Sequence, residues 1–238
     1  MRRAVVILTV LAAAGCSMLK RSHLRSGGGR EEVFGYSVEG REIRGVILGE
    51  GQRCKLLFAV IHGDEPLGAP LLERLVEELQ DRPELLSGRK VVVIPVVNPD
   101  GLRRNIRRNV RKVDLNRNFP ARNFKPSTDH GPVGESEPET RALVKAIRQF
   151  NPSAILAVHA PLHCVNWDGP ADDVARRMAR SSGYPPKPSI GYPTPGSLGS
   201  YAGHDLRIPT VTLELPDGIT AEKAWADLAE ALEIFLRD

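Results

Sequence analysis

Four nearly continuous apolar runs, each of strand length and each separated from the next by sequence of helical period, limit what this chain can become. They occupy residues 55–61 (KLLFAVI), 91–97 (VVVIPVV), 154–158 (AILAV) and 210–215 (TVTLEL). A strand with one wet face alternates apolar and polar side chains, whereas a run without alternation needs apolar cover on both faces. That cover lies between the runs. Leu71, Leu72, Leu75, Val76 and Leu79 recur at helical spacing, as do Leu143, Val144, Ile147 and Phe150 behind a Ser136/Glu139 capping-box pattern. Val174 and Met178 mark a short helix, and Trp225, Leu228, Leu232 and Phe235 stripe the last one. All of these read as core. The fold predicted is α/β, a mostly parallel central β-sheet flanked by helices on both faces. An antiparallel hairpin is expected at its N-terminal edge, from residues 33–36 and 42–48 around a turn at Glu39-Gly40.

Ahead of that domain the chain changes character. Arg2 and Arg3 precede an apolar run over residues 4–14, and Gly15-Cys16 follows. This is the layout of a secretory signal, too short to span a bilayer as a stable helix. Its lipobox-like end makes Cys16 a candidate lipid anchor, while Ala13, where Leu or Val is commoner, leaves plain cleavage as the other reading. The expected organisation is a signal peptide at 1–16, a flexible Gly-rich tether at 17–32 and one catalytic domain at 33–238. The expected location is the bacterial cell envelope, periplasmic or as a membrane-anchored lipoprotein. Cys54 and Cys164 are expected to stay unpaired, since the sheet would set them roughly 20 Å apart at ~3.3 Å per strand residue. A net charge of +4 and 5% aromatic residues, with no aromatic-interleaved basic stripe, set nucleic-acid binding aside. A monomer is expected.

In a parallel sheet covered by helices, sites form beyond the carboxyl ends of the strands. Polar residues stand at all four ends: His62 after Ile61, Asn98 after Val97, His159 after Val158, and Glu214 within the last run. His62 and Glu65 flank Gly63-Asp64, a tight turn across which both side chains can meet one atom. His159 supplies a third ligand from another strand. Two imidazoles and one carboxylate leave a zinc position open to water, the requirement of a catalytic rather than a structural site. His163 and His204 directly end no apolar run and rank below His159, and His23 and His130 fall in tether or loop. The basic run at 103–112 ends against Asp114 to Arg117, which favours a role around an anionic substrate.

Taken in order, these residues resemble the zinc carboxypeptidase family from about residue 33 to the C-terminus. His62 to Glu65 matches its first metal motif, and Asn98-Pro99-Asp100-Gly101 the loop that follows. Arg107 and Asn109, with residues 114–119 (DLNRNF), match its substrate-binding stretch. Ala157-Val158-His159 matches its third ligand, and Thr212-Leu213-Glu214-Leu215 its catalytic glutamate segment. The resemblance implies one zinc ion on His62, Glu65 and His159, which lowers the pKa of a bound water towards ~7. It implies Glu214 as the base that takes the water proton and delivers it to the leaving amine, and Arg107 as the electrophile beside the developing oxyanion. Asn116 and Arg117, with Asn109, are implied for a substrate carboxylate, which a guanidinium fork meets with two hydrogen bonds. Tyr201, or else Tyr192, stands for the family's loop tyrosine over the substrate. Lys112 departs from the family, which has glycine just before the Val-Asp step, and puts that turn in question. Only a short tether precedes the domain, so no activation propeptide is expected.

Residues 159–166 (HAPLHCVN) and 191–201 (GYPTPGSLGSY) resemble the branch of that family acting on cell-wall (murein) peptides, which releases diaminopimelate from a γ-D-glutamyl linkage. The partner implied is a small peptide with a free carboxylate. Two other readings stand beside it. One is a zinc deacylase of the aspartoacylase or succinylglutamate desuccinylase type, which shares the ligand plan and acts on small N-acyl amino acids. The other is a catalytically silent envelope binding lipoprotein.

Overall fold

The computed structural model describes residues 29–238, so the signal-like segment and Cys16 lie outside the described residues. Strands β1 (Gly29–Tyr36) and β2 (Glu42–Leu48) form the expected hairpin. β1 begins ahead of residue 33 because Gly29 to Glu32 continue the ladder opposite Leu48 to Gly45. The folded domain therefore takes in the end of the expected tether.

After the hairpin come β3 (Arg53–Ala59), α1 (Gly68–Asp81), β4 (Arg89–Ile94), α2 (Pro99–Arg104), α3 (Pro138–Phe150) and β5 (Ala154–His159). The chain continues through β6 (Leu162–Asp168), α4 (Asp172–Ser182), β7 (Pro186–Lys187), β8 (Thr210–Pro216) and α5 (Ala221–Arg237). The sheet order is β1-β2-β4-β3-β5-β8-β6-β7. Its centre, β4-β3-β5-β8, is parallel, and antiparallel β2 and β6 flank it. Successive residues of each central strand enter opposite cores, which is why the runs do not alternate. Leu57, Val93, Leu156 and Leu213 meet Leu72, Leu75 and Leu79 of α1, Met178 of α4 and Leu228 and Leu232 of α5. Leu56, Phe58, Val92 and Ile155 meet Leu143, Val144 and Ile147 of α3 on the other face. Each such fully buried side chain contributes about 1.5–3 kcal/mol.

Two local expectations are corrected. The capping box does not form: α3 starts at Pro138, with Glu137 at the N-cap and no side-chain cap. Proline suits the first helical position because its missing N–H is unpaired there anyway. Glu139 is instead drawn away, accepting from the Val38 amide at 3.0 Å and from Asn109 Nδ2 at 3.2 Å. The segment after His159, which no apolar run marks as a strand, returns as β6 beside β8. Cys54 and Cys164 are free and buried. Cys164 pairs with Glu214 at the opposite end of the sheet from Cys54, three strands across, so the expected separation holds. No helix among the described residues is long and apolar enough to cross a membrane.

Candidate active site

Because β3, β5 and β8 are parallel, their carboxyl ends open on one edge of the sheet. His159 is the last residue of β5 and lies in register with Glu214 of β8. Paired residues on neighbouring strands project to the same face, ~4.8 Å apart across the ladder. His62 and Glu65 come from the loop between β3 and α1. Gly63 is needed there: a Cβ at this position would lie 2.1 Å from the Gly101 carbonyl carbon. The same loop is tied to the basic segment by Gly63 N–H donating to Arg107 O at 3.2 Å. Two residues before His62, Val60 holds φ at +50°. That conformation costs a β-branched residue on the order of 1–3 kcal/mol, and Asn98 N–H donating to Val60 O at 2.9 Å helps to hold it.

The Glu65 carboxylate sits between two imidazoles, with Oε1 2.8 Å from His62 Nδ1 and Oε2 2.9 Å from His159 Nδ1. All three residues are buried, and one ligand atom from each lies within 4.8 Å of the others. Two nitrogens and one carboxylate oxygen, with no fourth protein ligand in the group, are a donor set that fits a catalytic zinc. The remaining nitrogen of His62, Nε2, faces Asp114 Oδ1 at 3.1 Å. A carboxylate behind a metal-binding histidine orients the ring and raises its basicity. Asp114 was not among the expected site residues, although it opens the 114–119 stretch.

Charge and burial compete here. Burial opposes ionisation of Glu65, but the charge of His159 and hydrogen bonds from both histidines hold its carboxyl well below the usual range. Burial likewise pushes Asp114 up, and is outweighed by the His62 hydrogen bond and by the charges of His62, Arg107 and Arg117, which hold it well below. For His62, burial lowers the pKa while the Asp114 and Glu65 hydrogen bonds raise it, and the hydrogen bonds prevail.

Arg107 donates from Nη1 to Glu65 Oε1 at 3.1 Å and from Nε to Asp114 Oδ2 at 3.3 Å, with its side chain still 44% exposed. It borders the cluster and faces solvent. The rest of the basic run disperses: Arg104 pairs with Glu39, Arg108 with Asp129 and Arg111 with Glu137. Lys112 takes φ +67°, so the turn is kept without glycine. Asn116 and Arg117 occupy a 3-10 turn in which the Asn116 amide donates to Asp114 Oδ1 at 3.0 Å. Asn116 Oδ1 accepts from Leu198 N–H at 2.9 Å, which ties the turn to the loop at 191–203. Arg117 Nη1 donates to Asn116 O at 2.7 Å. Glu214 is buried and accepts from the Leu162 amide at 3.3 Å.

Three expectations change. Asn109 is wholly buried; its amide donates to Glu137 and Glu139, and its carbonyl accepts from the Arg111 and Val113 amides. It braces the loop and has nothing left for a substrate. Tyr201 is 6% exposed and stacked on Phe119 at 6.0 Å, packed in the core beneath α3 where it cannot cover a ligand. Tyr192 is the exposed loop tyrosine. Asn98 ends an apolar run yet caps α2 through Gly101 N–H at 2.9 Å instead of joining the ligands. His204 pairs with Asp168 at 3.1 Å, and His163 packs against Tyr184.

A buried two-histidine, one-glutamate cluster at the carboxyl edge of a mixed sheet, with a further carboxylate on the adjacent strand, defines a zinc-dependent hydrolase. Residues 30–175 match the profile of the zinc carboxypeptidases, and the chain belongs to that family. Murein peptide amidase A of Escherichia coli (strain K12) is 33% identical over 198 residues, covering 76% of this chain and 78% of that protein. The crystal structure of murein-tripeptide amidase MpaA from Escherichia coli O157 superposes with a TM-score of 0.71 at 29% identity, over 87% of this chain and 92% of that one. The carboxypeptidase A of Helicoverpa armigera shares the fold, with a TM-score of 0.78 at 19% identity over 89% of this chain and 68% of its own.

Proposed function

We propose that this chain hydrolyses the amide bond of γ-D-glutamyl-diaminopimelate in murein peptides, releasing diaminopimelate. The observation that carries the hydrolytic part is the register of Glu214 with the ligand His159 on adjacent parallel strands. When bound, zinc supplies Lewis acidity at the scissile carbonyl. Glu214 takes the proton of the attacking water and hands it to the leaving amine. Arg107, anchored by Glu65 and Asp114 and half exposed, meets the charge that develops on the carbonyl oxygen. Asn116 and Arg117 bind a carboxylate of the leaving amino acid. The similarity to murein peptide amidase A and to murein-tripeptide amidase MpaA supports a murein peptide as the substrate. The signal-like N-terminus supports an envelope location with Cys16 as lipid anchor, which fractionation of wild type and Cys16→Ser would test.

The deciding assay is mass spectrometry of L-Ala-γ-D-Glu-diaminopimelate incubated with zinc-loaded protein and with a chelated control, with N-acetyl-aspartate in parallel. Diaminopimelate released only in the zinc arm is the expected result. Hydrolysis of N-acetyl-aspartate alone would move the chain to the deacylases. No hydrolysis of either, with one zinc bound per chain, would overturn the substrate assignment.

A further inference from the structure

Asp100, Glu137 and Glu139 are buried where α2, the start of α3 and the hairpin turn meet, and the reaction as derived uses none of them. Glu139, in the first turn of α3, places one oxygen on each of two segments. Its Oε1 accepts from the Val38 amide at 3.0 Å, in the turn between β1 and β2, and its Oε2 from Asn109 Nδ2 at 3.2 Å. Glu137 Oε2 accepts from the same Nδ2 at 2.8 Å. The hairpin turn is fixed in its own right, because Ser37 Oγ and the Glu39 amide donate to Asp100 at 2.8 and 2.9 Å. Burial, with the charge of Asp100, pushes the Glu139 carboxyl up against the hydrogen bonds it accepts. For stability alone an apolar side chain of like volume often serves as well as a buried charge; what distinguishes Glu139 is the two segments it joins.

Asn109 in turn closes a loop. Its side-chain oxygen accepts from the Val113 amide at 3.1 Å, its own amide donates to Val113 O at 3.0 Å, and its carbonyl accepts from Lys112 N–H at 2.9 Å. Residues 109–113 are thus a closed turn pinned to α3. Arg107 stands two residues before Asn109, and Asp114 directly follows Val113. Both reach the metal ligands: Asp114 Oδ1 lies 3.1 Å from His62 Nε2, and Arg107 Nη1 lies 3.1 Å from Glu65 Oε1. The guanidinium and the carboxylate therefore approach the site from the two ends of one pinned turn.

We propose that Glu139 is a positioning residue for the reaction, which through Asn109 sets where Arg107 and Asp114 meet the metal site. Its bearing on Arg107 rests on the hydrolytic reading above, and its bearing on Asp114 does not. The turn that carries Asn116 and Arg117 has ties of its own, from Leu198 N–H to Asn116 Oδ1 at 2.9 Å and from the Phe119 amide to Gly196 O at 2.9 Å. Loss of the Glu139 contacts is therefore read in zinc affinity and kcat, while KM holds.

The test uses Glu139→Gln, which turns one oxygen into a donor and so opposes a donor at Val38 N–H or at Asn109 Nδ2. Glu139→Asp keeps the charge with a shorter reach and takes its place should the first variant not fold. Leu228→Ala, in the core on the other face of the sheet, is the stability control. Zinc affinity is measured by competition with a chelator, and kcat per bound zinc and KM on L-Ala-γ-D-Glu-diaminopimelate. In the Glu139 variants zinc affinity is expected to fall about fivefold, short of the loss from removing a carboxylate that faces the ligand. The kcat per bound zinc is expected to fall about tenfold with KM within about twofold, as for a small misplacement of a group that acts in the transition state. Leu228→Ala should melt lower with all three values unchanged. Unchanged zinc affinity or unchanged kcat per zinc in the folded Glu139 variants, whatever their melting temperature, overturns the proposal. If Arg107→Ala keeps its kcat, or wild type does not turn the tripeptide over, the hydrolytic reading fails instead. Zinc affinity then decides: a fall in the Glu139 variants upholds positioning through Asp114, and no change removes it.

Discussion

Glu65 and Glu214 are equally buried and border one cluster, yet the β3–α1 loop and the end of β8 hold them in opposite ways. Every oxygen of Glu65 is engaged, Oε1 by His62 and Arg107 and Oε2 by His159. Glu214 has a single long contact, the Leu162 amide at 3.3 Å. A ligand must be oriented before the metal arrives, so dense hydrogen bonding serves it. A base must meet a water and pass a proton on, so its oxygens have to be left available. Burial is the same for both, and the hydrogen-bond count separates their tasks.

Glu214→Gln tests that contrast most directly. It should lower kcat by about 10²–10⁴-fold while zinc content, measured by metal analysis, stays at one per chain. Loss of metal together with activity would place Glu214 among the ligands and erase the difference. Asp114→Asn strikes the opposite side: the His62 ring loses its carboxylate, and zinc affinity by competition with a chelator should fall about 10–100-fold. Unchanged affinity would mean that Asp114 does not orient His62. The same residues set an acid limb in chelated protein. The folded carboxyls of Glu65 and Asp114 lie below their unfolded values, so their stabilisation is complete above ~4 and is lost as pH falls below that. Melting of chelated protein should therefore drop below about pH 4, more steeply in wild type than in Asp114→Asn; parallel curves would count against it. Lys112→Gly should have the smallest effect, raising stability by about 1 kcal/mol by relieving a left-handed lysine, with kcat/KM unchanged. A destabilised variant would show that the lysine side chain supports the turn.

Much of the site was legible because two ligands and the base stand at or near the ends of unbroken apolar runs. His62, His159 and Glu214 each mark a place where the chain leaves a doubly covered strand, and the topology brings those places together. Asp114 escaped notice because it ends no run; its role depends on which ring nitrogen it faces. Asn98 also ends an apolar run, but its side-chain oxygen is taken by the Gly101 amide at the start of α2. Asn109 and Tyr201 carry polar atoms in segments rich in Arg, Gly and Ser, and nothing in such composition says which side chains turn inward. β6 was hidden by His163, Asn166 and Asp168, polar residues in a strand near the margin of the sheet. The turn at Lys112 was rightly singled out as unusual, and the backbone keeps it because Lys112 N–H donates to Asn109 O at 2.9 Å.

The pairing of His159 with Glu214 has a consequence for how this scaffold can vary. The spacing between a metal ligand and the base is set by a ladder of main-chain hydrogen bonds, whose repeat of ~4.8 Å is indifferent to side-chain identity. That repeat acts as a ruler built into the backbone. The loop at 191–203 can be lengthened, recharged or reshaped for another peptide while the reaction distance stays calibrated. Diversification in substrate and constancy in chemistry are thereby assigned to different parts of the chain.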